Sequence, residues 1–113
     1  MADNDDAVTD AEHAVVARYR LADDGFGEQD QRTTIRQAEE QLTKAIDQAG
    51  VGEFDGNEFG GGQVGLYAYG PDADALYAVM APVLRSLPFR PAHVILRYGS
   101  ASDASAAEHR VDL

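Results

Sequence analysis

Glu53-Phe54-Asp55-Gly56-Asn57-Glu58-Phe59, then Gly60-Gly61-Gly62, then Val64-Gly65-Leu66-Tyr67-Ala68-Tyr69 is the stretch whose reading decides the fold. Val51 to Asn57 reads as a short strand, and Val64 to Tyr69 alternates apolar with exposed-type residues, as a strand with one buried face does. The glycines between them turn the chain back, which gives a hairpin with a long connection. A hairpin makes these two strands antiparallel neighbours, so the rest of the chain must be arranged around that pair.

Working outward, Gly70-Pro71-Asp72 supplies a turn and a helix N-cap. Leu76, Val79, Met80, Val83, Leu84 and Leu87 then recur at helical spacing. Pro82 lies inside this helix, where it lacks an amide donor and crowds the carbonyl of Ala78, so a kink or break is expected between Ala78 and Pro82. Pro88 and Pro91 end the helix, and Ala92 to Tyr98 forms a strand that alternates Val94, Leu96 and Tyr98 with His93, Ile95 and Arg97.

Upstream of the hairpin, Thr33 to Ala49 places Ile35, Ala38, Leu42, Ala45, Ile46 and Ala49 on one stripe, the mark of an amphipathic helix. Thr34 with Gln37 has capping-box spacing, Glu40 and Lys44 form a favourable pair one turn apart, and Gly50 closes the helix. Before it, His13 to Leu21 alternates Val15, Ala17, Tyr19 and Leu21 against Val16, Arg18 and Arg20, so it reads as a first strand.

The order is therefore strand, helix, strand, strand, helix, strand. Two right-handed crossovers around an antiparallel sheet give the ferredoxin-like βαββαβ sandwich. It has four strands in the spatial order 4-1-3-2, with both helices on one face. The domain spans residues 13–99. Residues 1–12 and 100–113, rich in Ala, Asp and Ser, read as a flexible acidic N-terminus and a flexible tail, since they bury too little apolar surface to offset ordering entropy.

Composition narrows the function classes. With 113 residues, 44% of them hydrophobic and 26% charged, the chain suits one globular domain. No apolar run approaches the roughly 18 residues that span a bilayer. The first six residues lack the basic and apolar regions of a signal peptide, so no membrane association and a cytoplasmic setting are expected. The absence of cysteine excludes thiol nucleophiles, disulfides and thiolate metal sites. The net charge of −11 divides into −5 over residues 1–12, −2 over 100–113 and −4 over the segment between. An acidic chain is repelled by phosphate backbones, which disfavours nucleic acid as a general partner. The single lysine and eight arginines fit either a GC-rich genome or a salt-loving host.

If the helices cover Val15, Ala17, Tyr19, Leu21, Val64, Leu66, Val94 and Leu96, the opposite face carries a readable set. On it lie Arg18 and Arg20 with Val16 from the first strand, Tyr67 and Tyr69 from the third, and Ile95 and Arg97 from the fourth. Glu53 and Asp55 follow on the second. Charge grades from basic to acidic across this surface. Three readings compete. Tyrosines and arginines together suit stacking on single-stranded RNA, although the third strand lacks the basic-Gly-aromatic pattern of RNA-recognition motifs. Cross-strand pairing and ring coverage alone describe an unoccupied surface. Burial of Val16, Ile95 and the tyrosines against a second copy or another protein describes an interaction module.

The hairpin carries a second candidate site. Asp55, Asn57 and Glu58 offer oxygen ligands to a hard cation, and Glu53 with Glu58 is the candidate carboxylate pair for acid/base work. The spacing does not complete an EF-hand, because position 59 is Phe. The bland alternative is a bulge at Asp55-Gly56-Asn57 with positive backbone angles and a flexible glycine tip. Three glycines without a following helix do not make a phosphate loop. His13 and His93 fall toward opposite ends of two antiparallel neighbours, and no Ser-His-Asp set can be assembled.

The combination FDGNEFGGG, LYAYGPDADALYAVMAPVL and VILRYGS over roughly residues 52 to 100 resembles a set of small uncharacterised bacterial proteins with the same hairpin, turn and strand motifs. The resemblance implies a stand-alone domain and brings no activity, cofactor or partner. The expectation is thus a non-catalytic binding module without a cofactor or resident metal, self-associating as a homodimer through its open sheet face. A small enzyme or metal-dependent activity centred on residues 53–62 is the alternative, and single-stranded RNA binding comes third.

Overall fold

A computed structural model of the chain describes residues 12–21, 27–100 and 102–113. Residues 1–11, most of the expected flexible N-terminus, lie outside them. The elements are β1 (His13–Arg20), α1 (Gln29–Ala49), β2 (Glu53–Gly60), β3 (Gln63–Gly70), α2 (Ala73–Ser86), β4 (Ala92–Arg97) and β5 (Glu108–Asp112). They form one antiparallel sheet in the order β2-β3-β1-β4-β5. The expected ferredoxin-like α+β arrangement is present, with both helices packed against the sheet and against each other.

Among the described residues the sheet has five strands and not four. The expected flexible tail contributes β5, which pairs with β4 from His93↔Asp112 to Arg97↔Glu108. Its residues Glu-His-Arg-Val-Asp show a single apolar side chain, so neither alternation nor hydrophobicity marks them as a strand. They are held by the exposed edge of β4, which offers unpaired backbone groups to any nearby chain.

Helix α1 begins earlier than Thr33. Glu28 is the N-cap, and its backbone N–H donates to Gln31 Oε1 at 3.0 Å. Thr33 and Thr34 sit inside the first turns, where their hydroxyls donate back to the carbonyls of Gln29 and Asp30. Gly50 closes the helix in the left-handed conformation, φ 65°, as its position implies. Helix α2 starts where expected, with the Asp72 carboxylate accepting from the N–H groups of Asp74 and Ala75. It runs without a break through Pro82. Pro82 and Ala78 both lie on the exposed side, so water can satisfy the carbonyl that the missing amide leaves.

The β2–β3 connection is tight rather than long. Gly61 and Gly62 form a two-residue turn with φ 60° and 77°, the paired positive angles of a type I′ hairpin. Gly60 belongs to β2 and pairs with Gln63.

The core lies between helices and sheet. Val15, Ala17, Tyr19, Val64, Leu66, Ala68 and Val94 from the strands are fully buried against Ile35, Leu42, Ile46, Leu76, Met80 and Leu84 from the helices. Tyr19 brings the one phenol into this layer whose hydroxyl is accounted for. It donates to the carbonyl of Leu84 at 2.7 Å, which satisfies an orphan acceptor in the last turn of α2. Burial pushes this phenol well above its ordinary pKa, so it stays a donor.

Candidate interaction surface on the open sheet face

Strand alternation and register place the open face in rows. One row reads Tyr67 on β3, Val16 on β1, Ile95 on β4 and Arg110 on β5. On one side of it lie Glu53, Tyr69, Ala14, Arg97 and Glu108. On the other lie Glu58, Gly65, Arg18, His93 and Asp112. Arg20 and Gln63 stand beyond that row as a register pair. Val16, Tyr67, Tyr69 and Ile95 are all partly exposed, and the helices lie on the other side of the sheet.

The structure thus brings Arg18, Arg20, Tyr67, Tyr69, Ile95 and Arg97 onto one face, but it does not leave them equally available. Gly65 leaves a gap in the sheet surface, and Tyr67 and Arg18 close in over it. A side-chain carbon at Gly65 would come within 3.0 Å of the Tyr67 ring and 3.2 Å of an Arg18 nitrogen. The Arg18 guanidinium is also 5.7 Å from the centre of the Tyr67 ring, a cation–π distance. Tyr67 donates a long hydrogen bond, 3.4 Å, to Glu58. Arg97 is committed to its own chain. It donates to Glu108 at 2.9 Å, to the carbonyl of Ser100 at 3.2 Å and to that of Asp103. Tyr69 keeps a protonated phenol, raised first by partial burial and then by the carboxylates of Asp55 and Glu12 with the Tyr67 ring between them in effect.

The hairpin residues are dispersed. The register slips between Phe54 and Gly56, which leaves Asp55 in a bulge without a residue opposite. Gly56 has φ 141°, the positive angle that the bulge reading requires. Simple alternation puts Asp55 on the open face beside Glu53, and its carboxylate does act on the Tyr69 phenol, but the bulge takes it out of the register pairing. Beyond the bulge, Glu58 pairs with Gly65 on the open side, whereas Asn57 pairs with Leu66 on the helix side. There the Asn57 amide donates to Glu39 on α1 at 2.7 Å. Burial raises the Glu39 carboxyl, and the hydrogen bond from Asn57 opposes that shift. Asp55, Asn57 and Glu58 therefore fail to converge on a cation, and no cluster of three or more His, Asp or Glu side chains suits a metal among the described residues. Glu53 is exposed and lies on the wall of an open cleft of about 580 Å³, with Glu12, Asp47 and Tyr69.

His13 and His93 are well separated, as the antiparallel pairing requires; His93 lies opposite Arg18. His13 has a structural task that spacing does not reveal. Its Nδ1 accepts the N–H of Ala73, the first residue of α2, at 3.1 Å, and its ring meets Tyr98 edge-on at 5.8 Å. Tyr98 in turn donates to Asp74 at 2.6 Å, and that bond raises the Tyr98 phenol. Sequence alternation also misses a concentration of positive charge at one end of the open face. Arg18, Arg20, Arg90, His93 and Arg110 line one cleft of about 710 Å³. Arg90 comes from the loop before β4 and Arg110 from β5, two segments that a four-stranded reading leaves outside the surface.

No protein-family model and no curated protein matches the chain. The structure is similar to that of a dimeric protein of unknown function with a ferredoxin-like fold from Bacteroides fragilis, at 11% identity. The alignment covers 91% of this chain and 97% of that one, with a TM-score of 0.40. No described helix is long and apolar enough to cross a membrane.

Proposed function

We propose that the protein is a non-catalytic interaction module that self-associates through its open sheet face. The observation that carries this reading is the row Tyr67, Val16, Ile95, which sets partly exposed apolar surface on three adjacent central strands. Open apolar surface of this kind gains free energy when a partner removes it from water.

Charge favours a second copy as that partner. Glu53 and Glu58 stand on β2, and Arg18, His93 and Arg97 stand two and three strands away. A two-fold axis along the strands, between β1 and β3, lays β3 of each copy over β1 of the other. It sets the acidic β2 over the basic β4. Tyr67 then meets Val16 of the second copy and Glu53 meets Arg97, as a self-complementary contact requires.

Sedimentation equilibrium over a range of concentrations tests this. The parent is expected to be dimeric, and Ile95→Asp is expected to be monomeric with the same circular dichroism spectrum. Tyr67→Ala weakens the dimer by about tenfold if the ring is a central contact. A parent that remains monomeric at high concentration overturns the proposal.

A further inference from the structure

The end of the open face is a separate matter from its apolar row. In a chain of net charge −11, four of the nine lysines and arginines line a single cleft of about 710 Å³. Cations gathered in a concavity repel one another and raise the local concentration of anions. Among the described residues that line the cleft, the only acidic side chain is Asp112, which takes one hydrogen bond from Arg110 at 2.9 Å in an exposed pair. Such a pair is screened and readily exchanged.

Two of the guanidinium groups are already oriented. One Arg90 nitrogen donates to the carbonyls of Leu87 at 2.7 Å and Phe89 at 2.8 Å. Arg18 is held against the Tyr67 ring. Fixing a long cationic side chain in advance lowers the ordering cost when a ligand arrives.

We propose that this cleft binds a small phosphate-bearing ligand, with its oxygens received by Arg18, Arg90 and Arg110. The planar guanidinium fork matches phosphate oxygens, and a dianion answers several cations better than a single carboxylate does. His93 stands on the cleft wall beside these cations. Its imidazole is pushed below its ordinary pKa by partial burial, then by Arg110 and Arg18, with Asp112 opposing.

The test is NMR of the full chain, following arginine Nε–H and His93 ring signals during titration with inorganic phosphate and pyrophosphate. Sodium chloride holds the ionic strength constant. Saturable shifts confined to the cleft are expected, tighter for pyrophosphate, and His93 should titrate at higher pH once the anion is bound. Arg18→Gln and Arg90→Gln should each weaken binding by about tenfold, whereas Arg36→Gln on α1 should leave it unchanged. The same spectra report whether each variant is folded. Shifts that fail to saturate, or that chloride reproduces, overturn the proposal, as does tight binding of an octauridylate with no response to phosphate. Ile95→Asp separates this site from the dimer contact: a monomer that keeps the phosphate response supports the cleft, and loss of the response in a folded monomer refutes an independent site.

Discussion

The two sides of β1 differ sharply in how their residues are held. Toward the helices, Val15, Ala17 and Tyr19 are fully buried, and the one polar atom among their side chains reaches the carbonyl of Leu84. Toward the open side, Val16 and Arg18 are half-exposed and Arg20 is exposed. The first side is specified collectively, since many helix and strand residues enclose each side chain. The second is specified in pairs: Arg18 with Tyr67, and Arg97 with Glu108. Collective burial dictates the fold, and pairwise contacts leave the surface adjustable for a ligand or a second copy.

That contrast is open to attack by mutation. Leu66 and Tyr67 are adjacent on β3 and point to opposite sides. Leu66→Ala should cost roughly 2–5 kcal/mol in urea unfolding, because it empties a fully buried site. Tyr67→Ala should cost less than about 1 kcal/mol in the monomer, and an equal loss at both would break the comparison. Tyr19→Phe strips the Leu84 carbonyl of its donor and should cost about 1.5 kcal/mol. Removing residues 108–113 deletes β5, frees Arg97 from Glu108 and exposes the edge of β4. A melting point lower by about 5 °C is expected; no change would mean that β5 adds nothing to the sheet.

The smallest effect concerns pH. The folded His93 binds its proton less readily than the unfolded chain, whose ordinary value is 6.5. The contribution of His93 to stability is therefore fully present above pH 6.5 and is lost as pH falls through the lower folded value. His93→Gln should flatten that part of the stability profile relative to the parent. Solvent screening keeps the change slight, and an identical profile for both proteins would sink the assignment.

Sequence reasoning reached the helix-facing side well because burial imposes a period. The alternation of Val15, Ala17 and Tyr19, and the stripe Ile35, Ala38, Leu42 and Ile46, are direct records of which side faces the core. The open side was legible in membership but not in geometry. Arg18, Tyr67 and Ile95 follow from alternation, whereas the bulge at Asp55 adds one residue and resets the phase, sending Asn57 to α1. Arg110 was missed because Glu108–Asp112 is polar and pairs through its backbone. Arg90 was missed because a loop residue has no period. A glycine inside a strand was the available signal at the centre: Gly65 marks the place where the Tyr67 ring and Arg18 come close to the backbone.

The bulge at Asp55 also bears on what the molecule avoids. Strand β2 is an outer strand of the sheet and, at eight residues, is long enough to template the addition of a further chain. At Asp55 its ladder is interrupted, and Glu53, Asp55 and Glu58 add carboxylates along the same strand. An incoming strand meets a broken hydrogen-bond register and a line of negative charge, both of which oppose amyloid-like stacking. The irregularity that dismantles a cation site thus also guards the protein's colloidal stability at high concentration.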